Sequence, residues 1–157
     1  MKNCIFGLLL LFSSYAAIAQ KPVQQLPQFV FYRLDKKAFT EQDISPQKKI
    51  FFVFFDSDCE HCQHALHQIN SKYKRFYNAE IYLVTLDDQR KINKFMTTYG
   101  PDLLGKRNVT ILQDLRNEFI TDFNPRQYPS MLLFSAKGKL LMYQDDPNAL
   151  PEIFKLL

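Results

Sequence analysis

Cys59-Glu60-His61-Cys62 lies where an apolar run ends and an amphipathic segment begins, and that junction constrains the chain more than any other feature. Ile50 to Phe55 is apolar at every position and rich in aromatic and β-branched residues, which predicts a buried strand. From Glu60 to about Tyr77, residues Cys62, Ala65, Leu66, Ile69, Tyr73, Phe76 and Tyr77 share one stripe at ~100° per residue, which predicts a helix. Cys62 falls inside the stripe and faces the core. Cys59 precedes the first turn, at the N-cap position, where free backbone N–H groups can hydrogen-bond a thiolate. The two sulfurs thus gain unlike environments, an exposed nucleophile at Cys59 and a sheltered resolving thiol at Cys62. An imidazolium at His61 would favour the Cys59 thiolate and Glu60 would oppose it. That arrangement points to redox chemistry.

Lys2, the apolar stretch Ile5 to Phe12 and the small-residue ending Ala17-Ile18-Ala19 read as a secretory signal peptide over residues 1–19, cut before Gln20. An uncleaved anchor is the rival, but the stretch is short against the ~20 residues that span a bilayer. A periplasmic or secreted chain is expected, of a size for one domain. Cys4 leaves with the leader, so the two cysteines that remain of three are both in the C-x-x-C. Disulfide-stapled secreted chains carry more cysteines, spread widely. The net charge is +4, and its basic residues are scattered in pairs such as Lys48-Lys49 and Lys106-Arg107. No basic run interleaves with aromatics, so nothing supports nucleic-acid binding.

Residues 20–28, with Pro22 and Pro27, form an extended lead-in. Phe29 to Leu34 is a first strand and Phe39 to Ile44 a short helix or turn. Beyond the long helix come a strand over Glu80 to Leu86, a helix from about Gln89 to Tyr99 capped by Asp87-Asp88 and stopped by Gly100-Pro101, and a strand over Val109 to Leu112. Leu115 to Phe123 reads as a helical piece. Ser130 to Phe134 and Leu140 to Tyr143 flank the turn Ala136-Lys137-Gly138-Lys139 as a hairpin, and Asn148 to Leu157 closes as a helix. The order β-β-α-β-α-β-α-β-β-α implies an α/β fold, a mixed sheet with helices on both faces.

With these elements placed, the chain resembles the thioredoxin superfamily, and within it the exported thioredoxin-like thiol–disulfide oxidoreductases of the TlpA/ResA type. The resemblance rests on the leader, on Phe54-Phe55-x-x-x-Cys59-x-x-Cys62, on Tyr128-Pro129 before a strand, and on the closing hairpin and helix. It covers about Phe29 to Leu157 and implies a thioredoxin-like domain over 29–157. It implies a redox disulfide between Cys59 and Cys62, no cofactor, and a cis Pro129 lying against the pair. Tyr128 and Pro129 are then the substrate groove. The implied partners are disulfide-containing exported proteins and a membrane-bound electron donor or acceptor. This sequence departs from the family pattern at Asp58, where Trp is common, at His61, where Pro is common, and at Val53, where many thioredoxins bury an acid. Asp56, Asp58, Glu60 or water are the candidates to handle the proton of the resolving thiol. His before the second cysteine is similar to oxidising DsbA-like enzymes, while Cys-Glu-x-Cys is similar to reducing ResA-like ones; a reductase is favoured.

Other readings of the same residues stay open. The pair could be a structural disulfide, or half of a zinc site lacking its second pair. A soft-metal module holding Cu(I) through Cys59, Cys62 and His61 is the alternative of another class. His64 and His67 lie roughly opposite the core stripe and read as solvated. A peroxidatic role for Cys59 meets Asp56 where the peroxidase branch carries Thr or Ser. Asp56 and Asp58 are read as loop and cap residues before proton carriers.

Overall fold

The computed structural model describes residues 21–157, so the expected leader over 1–19 lies outside the described residues. Seven strands form one mixed sheet: β1 (Val30–Arg33), β2 (Ala38–Thr40), β3 (Lys49–Phe54), β4 (Ala79–Thr85), β5 (Val109–Gln113), β6 (Ser130–Phe134) and β7 (Leu140–Gln144). The spatial order is β2-β1-β5-β4-β3-β6-β7. The strands β3, β4 and β5 are parallel, while β1 and β6 join them antiparallel. Three α-helices follow the chain as α1 (Glu60–Ser71), α2 (Gln89–Tyr99) and α3 (Leu150–Phe154). The class and the mixed sheet agree with the pattern in the sequence.

Strand β3 is buried from Ile50 to Phe54 because both of its faces are covered, and its alternate residues feed two separate cores. Phe51 and Val53 face Cys62, Ala65, Leu66 and Ile69 of α1, Ile92, Phe95 and Met96 of α2, and Leu150 and Ile153 of α3. Ile50, Phe52 and Phe54 face Phe29, Phe31, Phe39, Phe119 and Phe123. Among the described residues helical structure thus lies on both faces, but unequally: all three α-helices cover one, and the other carries the π-helical turn Phe119–Phe123 without an α-helix.

Four local expectations shift. The segment from Phe39 is not wholly helix or turn: Ala38–Thr40 is a strand pairing with β1 in the register Phe31↔Phe39, followed by a one-turn 3-10 helix at Glu41–Asp43. Helix α1 stops at Ser71, because Lys72 leaves helical geometry at φ −109° and ψ 18°. A 3-10 turn over Tyr73–Phe76 then continues the apolar spacing with a period of three, which buries Phe76 and leaves Tyr77 exposed. The piece expected over Leu115 to Phe123 is the π turn alone. The closing segment is a 3-10 turn, Pro147–Ala149, running into the short α3.

Helix α2 begins as expected, with Asp88 Oδ1 accepting the N–H of Lys91 at 2.9 Å. It ends at Gly100, where a Cβ would sit 2.9 Å from Leu66 Cδ2 of α1. A side chain there would force the buried Leu66 side chain to shift. The lead-in crosses the β6–β7 turn: Leu26 N–H donates to Gly138 O at 2.8 Å and Leu140 N–H to Gln24 O at 2.9 Å. Gly138, at φ 77°, takes the left-handed turn that other residues resist.

Candidate active site

Topology brings three loops together at one end of the sheet. The chain leaves the C-terminal ends of the parallel β3, β4 and β5 there. Because β6 runs antiparallel to β3 with Phe54 opposite Ser130, the residues before β6 arrive at the same end. Phe55 to Cys59, Leu86 to Asp88 and Gln127 to Pro129 therefore meet by strand direction alone.

Cys59 is the N-cap of α1, half-buried, and its carbonyl accepts the Gln63 N–H at 3.0 Å. Its side chain does not bond the first-turn amides. Both cysteines carry free thiols, and Cys59 Sγ instead lies 3.9 Å from the carbonyl oxygen of Tyr128, a long contact suited to a weak S–H donor. Cys62, one turn further on, is 1% exposed, packed with the sheet residues under α1. Burial pushes its thiol well above the usual range. A backbone hydrogen bond from Asp56 opposes that shift, while the neighbouring Cys59 and the Asp56 carboxylate add to it. The sulfurs differ in access and in the cost of ionising.

The Tyr128–Pro129 peptide is cis. Pro129 is buried, and Tyr128 leans on Phe119 with ring centroids 5.7 Å apart. Burial, helped by the charges of Asp56 and Asp114, pushes the Tyr128 phenol up to about 12, so it stays protonated and available as a donor. Ser130 Oγ fixes this loop by donating to Gln127 O at 2.6 Å, and it shares a hydrogen bond with Tyr143 Oη at 2.8 Å. Tyr143 Oη in turn accepts the Arg126 N–H at 2.9 Å.

Among the other residues singled out by sequence, Glu60 and His61 are exposed at the start of α1, flanking Cys59 but not covering it. His64 and His67 are exposed as well. Among the described residues no group of three or more His, Cys, Asp or Glu is disposed to hold a metal ion, so Cys59, Cys62 and His61 are not brought together as a copper set. Val53 is buried in the apolar core, so no acid stands below Cys62 at that position. Asp56 accepts the Asp58 N–H at 2.8 Å and shapes the turn into α1.

The sequence offers Asp87 and Asp88 alike as caps, yet Asp88 alone caps α2. Asp87 Oδ2 reaches back to accept the Ser57 N–H at 2.9 Å and the Thr85 hydroxyl at 3.2 Å, tying the turn before Cys59 to the end of β4. Gln63 Nε2 secures the same turn by donating to Ser57 O at 3.1 Å. The signal available was an Asp directly after a buried strand beside the nucleophile's strand.

Comparison with known proteins agrees with this geometry. A family model described as the AhpC/TSA family matches residues 22–142. Search of curated proteins returns no match. Among solved structures, a thiol-disulfide oxidoreductase from Bacteroides fragilis superposes with a TM-score of 0.64 at 19% identity, covering 85% of this chain and 100% of its own. A secreted Mycobacterium tuberculosis disulfide oxidoreductase homologous to E. coli DsbE gives 0.62 at 18% identity, covering 83% and 96%. A peroxiredoxin-like protein from Aquifex aeolicus gives 0.64 at 13% identity, covering 87% and 86%. At these identities the likeness is one of fold, the thioredoxin fold.

Proposed function

The chain belongs to the AhpC/TSA family of the thioredoxin superfamily, and from that premise we propose that it is a thiol–disulfide oxidoreductase of an exported compartment that reduces disulfides in protein substrates through Cys59 and Cys62. The single observation that carries this reading is the asymmetry of the pair: an accessible sulfur at the mouth of α1 facing the Tyr128 carbonyl, and a buried one behind it. The apolar leader expected over residues 1–19 supports the compartment.

The Cys59 thiolate attacks one sulfur of a substrate disulfide, forming a mixed disulfide and expelling the other sulfur as thiolate, which takes up a proton. Cys62 then gives up its proton and attacks Cys59 Sγ. The second substrate sulfur leaves as a thiolate, and the Cys59–Cys62 disulfide remains. Two electrons pass from enzyme to substrate, and a membrane-bound thiol donor returns them. Tyr128 and Pro129 form the groove wall, where the Tyr128 backbone pairs with an extended substrate chain. Burial of Cys62 makes its thiolate costly and so slows the second step relative to the first. Asp56, whose backbone bonds Cys62 and whose carboxylate acts on its thiol, is the candidate to receive its proton. Glu60 opposes the Cys59 thiolate and an imidazolium at His61 favours it.

The test is trapping. Cys62→Ser should accumulate covalent adducts through Cys59 and lose turnover of a protein disulfide such as insulin by more than a hundredfold. Absence of both adducts and wild-type insulin reduction sinks the reading. A second reading, a thiol peroxidase, is favoured by the family match itself. It requires a donor to the peroxide oxygen near Cys59, where Asp56 offers, when ionised, only acceptors. Rapid consumption of hydrogen peroxide by the reduced chain, with no protein disulfide reduced, would select it.

A further inference from the structure

Beside Cys59, on the side away from Pro129, a cleft of about 380 Å³ opens between the turn Ser57-Asp58 and helix α2. Arg90, Lys91 and Lys94 project from α2 along it, Asp58 stands opposite, and Phe95 and Tyr99 give it an apolar wall. Lys91 is already engaged, 2.6 Å from Asp58 Oδ2 and 3.7 Å from Asp87 Oδ1. Arg90 and Lys94 carry no ion pair among the described residues and are exposed, with Asp88 the acid nearest Arg90, so both cations remain open to a ligand around one concavity. Ser57 also lines the cleft, nine-tenths buried, and its Oγ is the buried side-chain polar atom that has no hydrogen-bond partner among the described residues. Buried hydroxyls are rarely left unpaired. A cleft with exposed cations and a partly apolar wall is suited to carboxylates carried on a peptide.

We propose that this cleft is a second substrate subsite, which binds an acidic segment of the partner protein flanking the cysteine that exchanges with Cys59. The inference rests on the redox reading above and adds to it the chemical class of the partner. The Tyr128–Pro129 side takes an extended chain by backbone contact, which ignores sequence. The cleft side supplies selection, because Arg90 and Lys94 attract carboxylates and repel basic flanks as the partner approaches. Lys91 links the two, since the Asp58 it holds is the residue directly before Cys59. An acidic occupant competes with Asp58 for Lys91, so occupation is felt next to the nucleophile.

The experiment uses the full reduced chain and two short blocked peptides, each with a central cysteine in mixed disulfide with 2-mercaptoethanol, flanked by glutamates in one and glutamines in the other. At low salt the glutamate peptide should react about tenfold faster, and added salt should erase most of the difference. In Arg90→Glu/Lys94→Glu the glutamate peptide should lose its advantage over the glutamine peptide. The exposed pair Lys106→Glu/Arg107→Glu makes the same change in net charge away from the cleft and should keep the preference. Equal rates for the two peptides, or equal loss in both variants, overturn the subsite. Failure of the redox reading looks different: neither peptide exchanges. Calorimetry with the serine versions of the peptides then decides the cleft, which requires saturable binding of the glutamate peptide that Arg90→Glu/Lys94→Glu abolishes.

Discussion

The two faces of the sheet are cut from alternate residues of the same strands, yet they are built for different ends. The helix-covered face packs mostly aliphatic side chains under α1, α2 and α3, with Phe51, Phe55, Phe76 and Phe95 among them, and its upper edge holds Cys62. The other face has no α-helix among the described residues and is packed by phenyl rings. Phe52 lies at the centre of that face, with ring centroids of Phe29, Phe54, Tyr82 and Phe123 between 5.1 and 5.6 Å away. Phe54 stacks on Phe119 at 3.7 Å. Large rings fill space that a second helical layer would otherwise cover, and they meet the active end through Phe119, Tyr128 and Tyr143. The difference teaches that stability and chemistry are partly separable in this chain.

Breaking the aromatic face gives the largest expected effect on stability. Phe52→Ala deletes a fully buried ring and should cost about 3–5 kcal/mol, read as a lowered denaturant midpoint. The molecules still folded should exchange disulfides at close to the wild-type rate. A loss of rate matching the loss of stability would show that the faces are not separable.

The helix-covered face can be probed through Cys62 without substituting it. Burial raises its thiol above the ordinary value of 9.0, so the folded chain holds this proton more tightly than the unfolded chain. The stabilisation is complete below pH 9.0 and is lost as pH rises beyond it, because there the unfolded state gains by ionising and the folded state does not. Between pH 9.0 and 10.0, before the buried Tyr82 and Tyr128 join, the reduced chain should lose about 1 kcal/mol that the oxidised chain keeps. Denaturant titrations of the two redox forms across that interval check it. Parallel curves would mean that Cys62 is not sheltered.

What was legible in the sequence follows the same division. The β3–α1 junction and the inward Cys62 could be read because a six-residue apolar run and a 3.6-residue stripe are local signals. Strand β2 could not, since its three residues owe their strand geometry to pairing with β1, with Phe39 alone buried. The π turn looked like a longer helix because Phe119 and Phe123 keep an i, i+4 spacing. The end of α1 was hidden by Tyr73 and Phe76, which continue an apolar pattern through a change of helical type. The cleft beside α2 could not be seen either, because Ser57, Asp58, Arg90 and Lys94 converge only once β3 and β4 lie parallel.

Asp87 tests the boundary between the two properties from the other side. Its carboxylate holds the Ser57 amide and the Thr85 hydroxyl, and it stands at the end of β4, remote from the rings. Asp87→Ala removes both bonds and should cost about 1–2 kcal/mol, less than the loss of Phe52. Its effect on exchange should be larger than its effect on stability implies, a fall of about tenfold, because Ser57 sets the turn that aims Cys59 at Tyr128. Asp87→Asn keeps an oxygen for the Ser57 amide and should recover most of the rate. Stopped-flow exchange with a neutral peptide disulfide, measured beside the denaturant midpoint of each variant, separates these outcomes. If Asp87→Ala loses stability and keeps its rate, Asp56, Gln63 and the Lys91–Asp58 pair hold the turn before Cys59 without it, and Asp87 belongs to the scaffold rather than to the chemistry.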